Sequence, residues 1–124
     1  MSSLSFPDDV FDGIICNHVL QHGMISDIKN AVHEIHRVLK KDGVVLLEVA
    51  STESSKYLNG QEIEPNTRIN VGGFDGHVPH HFFTKEEIQE FFKFFDILQL
   101  SHTIHPSELN PEIMSATWRM YAKK

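Results

Sequence analysis

Two runs of this chain are apolar on both faces, and the segment between them is not. The first lies within Phe11-Asp12-Gly13-Ile14-Ile15-Cys16-Asn17-His18 and is strongest over Gly13 to Asn17. The second is Val44-Val45-Leu46-Leu47-Glu48-Val49-Ala50. A strand with one wet face alternates apolar and polar residues. A strand that is apolar throughout belongs inside a parallel sheet with both faces covered. Between the two runs, Ile25, Ile28, Val32, Ile35 and Leu39 recur every three or four residues, which is one face of a helix. Lys29, His33, Arg37 and Lys40 fall on the other side. Ser26 is placed as the helix N-cap, Lys40 and Lys41 suit its negative C-terminus, and Gly43 suits a left-handed exit. Strand, helix, strand at this spacing calls for a right-handed βαβ crossover and therefore an α/β fold.

The remainder reads less regularly at first. Ser51 to Phe82 holds Gly60, Pro65, Gly72, Gly73, Gly76 and Pro79, and is expected to be a long loop over 51–82 within a single domain spanning 1–124. Thr84 with Glu87 makes a capping box, and Phe83 with Ile88 a hydrophobic staple, so a second helix opens there. Ile88, Phe91, Phe92 and Phe95 give that helix its apolar face. Phe94 lies off it and is expected to be exposed. Ile97 to Ile104 reads as a strand. Ala116, Trp118, Met120 and Ala122 alternate with Thr117, Arg119 and Tyr121, the pattern of a half-buried strand. No helix separates these last two strands, so they are expected to be antiparallel neighbours.

Composition removes several function classes. A formal charge of -6 opposes a general grip on nucleic acid, which needs basic residues against phosphates. No apolar stretch approaches the ~20 residues needed to span a membrane. The single cysteine, Cys16, allows no internal disulfide. The N-terminus has neither the basic region nor the apolar core of a signal peptide. A cytoplasmic protein with no nucleic-acid or membrane partner is expected. Nine histidines invite a metal hypothesis. However, His33-x-x-His36 and His102-x-x-His105 stand without a second cysteine or a His-Glu-x-x-His pattern, and no metal is assigned.

The order of short motifs carries a family resemblance. Phe6-Pro7-Asp8-Asp9-Val10-Phe11-Asp12-Gly13-Ile14-Ile15 resembles the fourth-strand motif of class I S-adenosylmethionine-dependent methyltransferases, and His18-Val19-Leu20-Gln21-His22 the stretch after it. Glu34 to Val44 resembles the family's helix-to-strand junction, with Lys41-Asp42 where Pro-Gly is common. Phe82 to Ile88 resembles the helix before its last hairpin, and Ser115 to Lys124 the closing strand. The resemblance implies a partial Rossmann-like sheet, strands four to seven of seven, with the last strand antiparallel and helices flanking in three layers. It covers the C-terminal half of the fold only. The Gly-rich, acidic loop after strand one has no counterpart in the sequence.

The resemblance also implies a cofactor and a site. The cofactor is S-adenosylmethionine, with weak or absent binding expected of the chain alone, because the family crevice lies between strands one and four. Cys16, Asn17 and His18 are placed at the cofactor's methionine end. His18, His22, His80 and His81 are the candidate catalytic residues, with His77 in the same loop. Glu48, ending an apolar strand, is the carboxylate most worth following. The implied activity is methyl transfer to a small molecule, requiring a complementary N-terminal half. The alternative is a non-catalytic interaction or dimerisation domain descended from a methyltransferase. The 13–17 strand would be a sheet edge without proline or lysine, so a homo-oligomer or the complementary half is expected to pair with it.

Overall fold

The computed structural model describes residues 3–72 and 76–124. Its elements run β1 (Phe11–Asn17), α1 (Ile25–Val38), β2 (Leu39–Ala50), a short 3-10 turn (Ser55–Leu58), β3 (Gln61–Glu64), β4 (Thr67–Ile69), β5 (His80–His81), α2 (Lys85–Phe91), β6 (Asp96–Pro106) and β7 (Met114–Lys123). The main sheet has the order β1-β2-β7-β6. β1 and β2 are parallel, and β7 is inserted antiparallel between β2 and β6. The expected βαβ unit, the antiparallel last strand and the partial Rossmann-like sheet are all present.

Alternation along β2 decides which face is core. Val45, Leu47 and Val49 have no exposed surface, whereas Leu46 and Glu48 between them are half-buried. The buried set joins one cluster with Ile28, Ala31, Val32 and Ile35 of α1, Ile88 and Phe92 around α2, and Met120 and Ala122 of β7. Each of the larger of these side chains contributes about 1.5–3 kcal/mol by leaving water. Both helices therefore lie on one face, and the domain has two layers where three were expected. The reason is topological. The crossover from β1 to β2 and the longer one from β2 to β6 step across the sheet in the same direction. Right-handed connections that step the same way fall on the same face. Among the described residues no helix covers the other face, where Ile15 is 77% exposed and Tyr121 39%.

Local details refine the sequence expectations. Met24, not Ser26, caps α1. The Asp27 carboxylate accepts the Met24 N–H at 3.1 Å, and Glu64 accepts the Ile25 N–H at 2.7 Å. The left-handed residue at the helix-to-strand junction is Asp42 (φ 66°), not Gly43. Glycine is required at 43 for a different reason: a Cβ there would lie 2.8 Å from the Lys40 carbonyl oxygen. The Thr84–Glu87 capping box forms in both directions, at 3.2 and 3.0 Å. Phe83 and Ile88 are fully buried and Phe94 is exposed.

The segment expected to be an irregular loop is largely ordered into structure of its own. The 3-10 turn and the three-stranded sheet β3-β4-β5 occupy it, while Gly73 and its neighbours at 74–75 lie outside the described residues. Thr67 and His81 are wholly buried at its centre. A bridge from Ser51 to Phe83 and another from His22 to His80 fasten this small sheet over the ends of β1 and β2.

Candidate functional site

The carboxyl ends of β1 and β2 lie side by side, with Asn17 opposite Glu48. Here the chain leaves the sheet through His18, whose φ of 52° is in the left-handed region. A non-glycine residue held there costs free energy and persists only where its surroundings fix it. The fixing contacts are visible. The His18 N–H donates to the Glu48 carbonyl at 2.9 Å, and its Nδ1 lies 3.3 Å from Gln21 Oε1. The same Gln21 oxygen accepts the Ala50 N–H at 2.8 Å, and the Gln21 carbonyl accepts the His81 N–H at 2.8 Å. One nearly buried residue thus ties three parts together, its side chain holding the end of β2 and the imidazole of His18 and its main-chain carbonyl holding β5.

Around this bracket lies a cavity of about 180 Å³, walled by His18, Gln21, Lys56, His80, His81 and Phe82 and closed by Ser115 to Thr117 at the start of β7. The two-residue strand β5 places His80 and His81 on it. His81 has no exposed surface, and both ring nitrogens are engaged, Nδ1 with Thr67 Oγ1 at 2.8 Å and Nε2 with Glu87 Oε2 at 3.2 Å. Burial raises the Glu87 carboxyl's pKa. The His81 hydrogen bond, the Thr84 N–H and Asn66 more than offset this, so its pKa is lowered on balance. His81 is accordingly a fixed wall, and His18 and His80 are the less buried imidazoles of the cavity.

His18 also borders a second cavity of about 320 Å³ on the uncovered face of the sheet. Glu48 lies there, 3.9 Å from His18 Nε2, with its carboxylate engaged by the Arg119 guanidinium through Nε and Nη2. Ser101, Thr103 and His105 complete that wall. His18 and Thr117 are therefore common to both spaces, and His18 is the titratable one.

The other sequence candidates are placed differently. His22 stacks edge-on against His80, with ring centroids 4.5 Å apart, and does not line the 180 Å³ cavity. His77 is exposed in the turn before β5. Asn17 is exposed at the strand end. Cys16 points into the core and borders an apolar groove of about 290 Å³ along β1, with Phe11, Ile14, Ile15 and Val19. Burial pushes its thiol pKa up, against the hydrogen bonds from Leu20 and Val19, which favours the protonated thiol over the thiolate. Among the described residues, no three His, Cys, Asp or Glu side chains are grouped to hold a metal ion. No described helix is long and apolar enough to cross a membrane.

Sequence reasoning missed Gln21, Lys56 and Thr117. Gln21 had a signal, since it follows the carboxyl end of a buried parallel strand, where ligands of open α/β sheets sit. Lys56 had none, because nothing in its neighbourhood marks the turn that brings it to the cavity.

Comparison with known proteins matches these features. Residues 1–47 match the methyltransferase domain family. An uncharacterized methyltransferase of Bacillus subtilis is 53% identical over 45 residues, which is 36% of this chain and 17% of that protein. A crystal structure of a SAM-dependent methyltransferase from Methanosarcina mazei superposes over 99% of this chain and 63% of its own, with a TM-score of 0.81 at 20% identity. The 1,6-didemethyltoxoflavin-N1-methyltransferase of Burkholderia thailandensis, solved with 1,6-didemethyltoxoflavin and S-adenosylhomocysteine bound, superposes over 99% of this chain and 47% of its own. Its TM-score is 0.68 at 19% identity. The chain thus spans a small part of the curated relative and about half to two-thirds of these structural neighbours.

Proposed function

We propose, from the family match over residues 1–47 and the shared fold, that this chain is the acceptor-side half of a class I S-adenosylmethionine-dependent methyltransferase. The observation that carries the reading is the cavity at the carboxyl ends of β1, β2 and the start of β7, bordered by a left-handed His18. S-adenosylmethionine, when bound, supplies an electrophilic methyl group. The residues present fit one wall of such a site: Asn17 and His18, both exposed, offer side-chain polar groups at the carboxyl end of β1. The chain's own residues orient the acceptor. His18, half-exposed and held by Gln21, is the group placed to take the proton that a nitrogen or oxygen acceptor releases on methylation. His80 faces the same cavity, and His81, locked between Thr67 and Glu87, keeps β5 in position.

The second wall belongs, on this reading, to a complementary N-terminal half pairing with β1. The apolar groove along β1 and the exposed Ile15 support it, since such a patch is ordinarily covered. The exposed edge also favours a second reading, a non-catalytic interaction domain of methyltransferase descent.

Calorimetry separates the two. The isolated chain is expected to bind S-adenosylhomocysteine far more weakly than the low-micromolar level of ordinary cofactor sites, about -8 kcal/mol. Fusing the N-terminal strands of the Methanosarcina relative ahead of Phe11 is expected to restore micromolar binding. Micromolar binding by the chain alone would overturn the half-site reading. A folded fusion with no binding would favour the interaction domain.

A further inference from the structure

The 180 Å³ cavity differs in charge from the molecule that contains it. The chain has 17 acidic and 11 basic residues, yet among the described residues no carboxylate lines this cavity, and one lysine and three histidines do. Acids that touch or adjoin its lining residues are engaged elsewhere, Glu53 among them, which pairs with His102 at 3.2 Å. Glu87 stands behind His81, which it binds together with Asn66 and the Thr84 N–H. Glu48 lies beyond His18 and is held by Arg119. Lys56, by contrast, forms no ion pair with a described residue, and its stem leaves the 3-10 turn at the cavity rim. A lysine that pairs with no described carboxylate, lining a small recess with imidazole and hydroxyl groups, makes a place for negative charge.

We infer that the cavity takes a small molecule bearing an anionic group, with the anion against Lys56 and the rest of the molecule between Phe82 and Ala116. This rests on the reading above only in identifying that molecule as the methyl acceptor. The size follows from the volume, which is well under the ~300–1,000 Å³ of sites for drug-sized ligands. The remaining wall sorts by chemistry. His80, Ser115 and Thr117 offer polar groups to the oxygens, and Val71, Phe82 and Ala116 offer an apolar side to a ring or short chain.

Three probes of similar size and different charge test the inference: benzoate, benzamide and benzylamine, titrated into the 124-residue chain and followed by amide shifts in NMR spectra. Benzoate is expected to give saturable shifts at residues 54–57 and 115–117, at least tenfold tighter than benzamide, with no binding of benzylamine. Lys56→Gln is expected to weaken benzoate at least tenfold, and Lys56→Arg to retain it. Lys56 is exposed, so neither substitution threatens the fold. Equal or better binding of benzamide or benzylamine, an unaffected Lys56→Gln variant, or no binding of any probe would each overturn the inference. No cofactor is present in this assay. Benzoate binding followed by a completed enzyme that transfers no methyl group would therefore sink the methyltransferase reading and leave the anion site standing. Methyl transfer without anion preference would sink the anion site alone.

Discussion

Replacing Ile15 with lysine tests how the open edge of β1 behaves when no other partner is supplied. Ile15 is 77% exposed on a strand that pairs on one side only. In the monomer the change is nearly neutral, because a surface substitution away from special contacts stays within about 0.5 kcal/mol. In solution the only available cover is a second copy, with β1 against β1 across a two-fold axis. Burying an isoleucine contributes about 1.5–3 kcal/mol, so covering the exposed part of this one contributes about 1.5 kcal/mol. The axis doubles it, to about 3 kcal/mol. At 1.4 kcal/mol per decade this is about a hundredfold in the dimer dissociation constant, before any repulsion between the two introduced ammonium groups. Sedimentation velocity over a dilution series is the assay, with a urea melt at the lowest concentration to confirm that the variant folds. A wild-type chain that remains monomeric throughout, or a variant that associates as strongly as wild type, would refute the reasoning.

Two further expectations concern the second helix. Thr84→Ala removes the side chain that accepts the Glu87 N–H and should cost about 1 kcal/mol, visible as a lower urea midpoint with an unchanged slope. An unchanged midpoint would mean that Thr84 is not an effective cap. Glu87 has a lowered pKa in the folded state, so it stabilises the fold above its unfolded value of 4.5, and that contribution disappears as the pH falls through the lowered folded value. Glu87→Gln should therefore flatten the acid side of a melting-temperature profile. A profile that keeps its wild-type acid slope would show that another carboxylate is responsible.

What the sequence made legible follows from what repeats. β1, α1, β2 and the final hairpin announce themselves by period, and Thr84-Lys85-Glu86-Glu87 announces a cap by local chemistry. The single-sided layering was not legible in the same way. Ile15 and Leu46 are as apolar as Ile14 and Val45, so the residues ask for two covered faces while the described chain covers one. The small sheet was hidden for a different reason. Its strands are two to four residues long, too short for a period, and it is organised by buried polar pairs such as Thr67 with His81. At the site, His18, His80 and His81 were visible as unusual residues near a strand end and a helix start. Their convergence depends on Gln21, whose hydrogen bonds reach residues 29 and 60 positions away and leave no local trace.

Glu64 belongs to the small sheet, yet one of its oxygens accepts both the Thr67 hydroxyl and the first free N–H of α1, at Ile25. A negative side chain at that end also complements the helix dipole. The segment that walls the cavity and the helix that builds the core consequently share an atom. A lineage that exchanges the 51–82 segment to admit a new ligand also removes a cap from α1, at a cost of about 1 kcal/mol. The incoming segment must bring an acceptor to the same point, or position 24 or 27 must change with it. Ligand range and helix stability are inherited together here, and a carboxylate facing the start of α1 is what a functional replacement segment has to preserve.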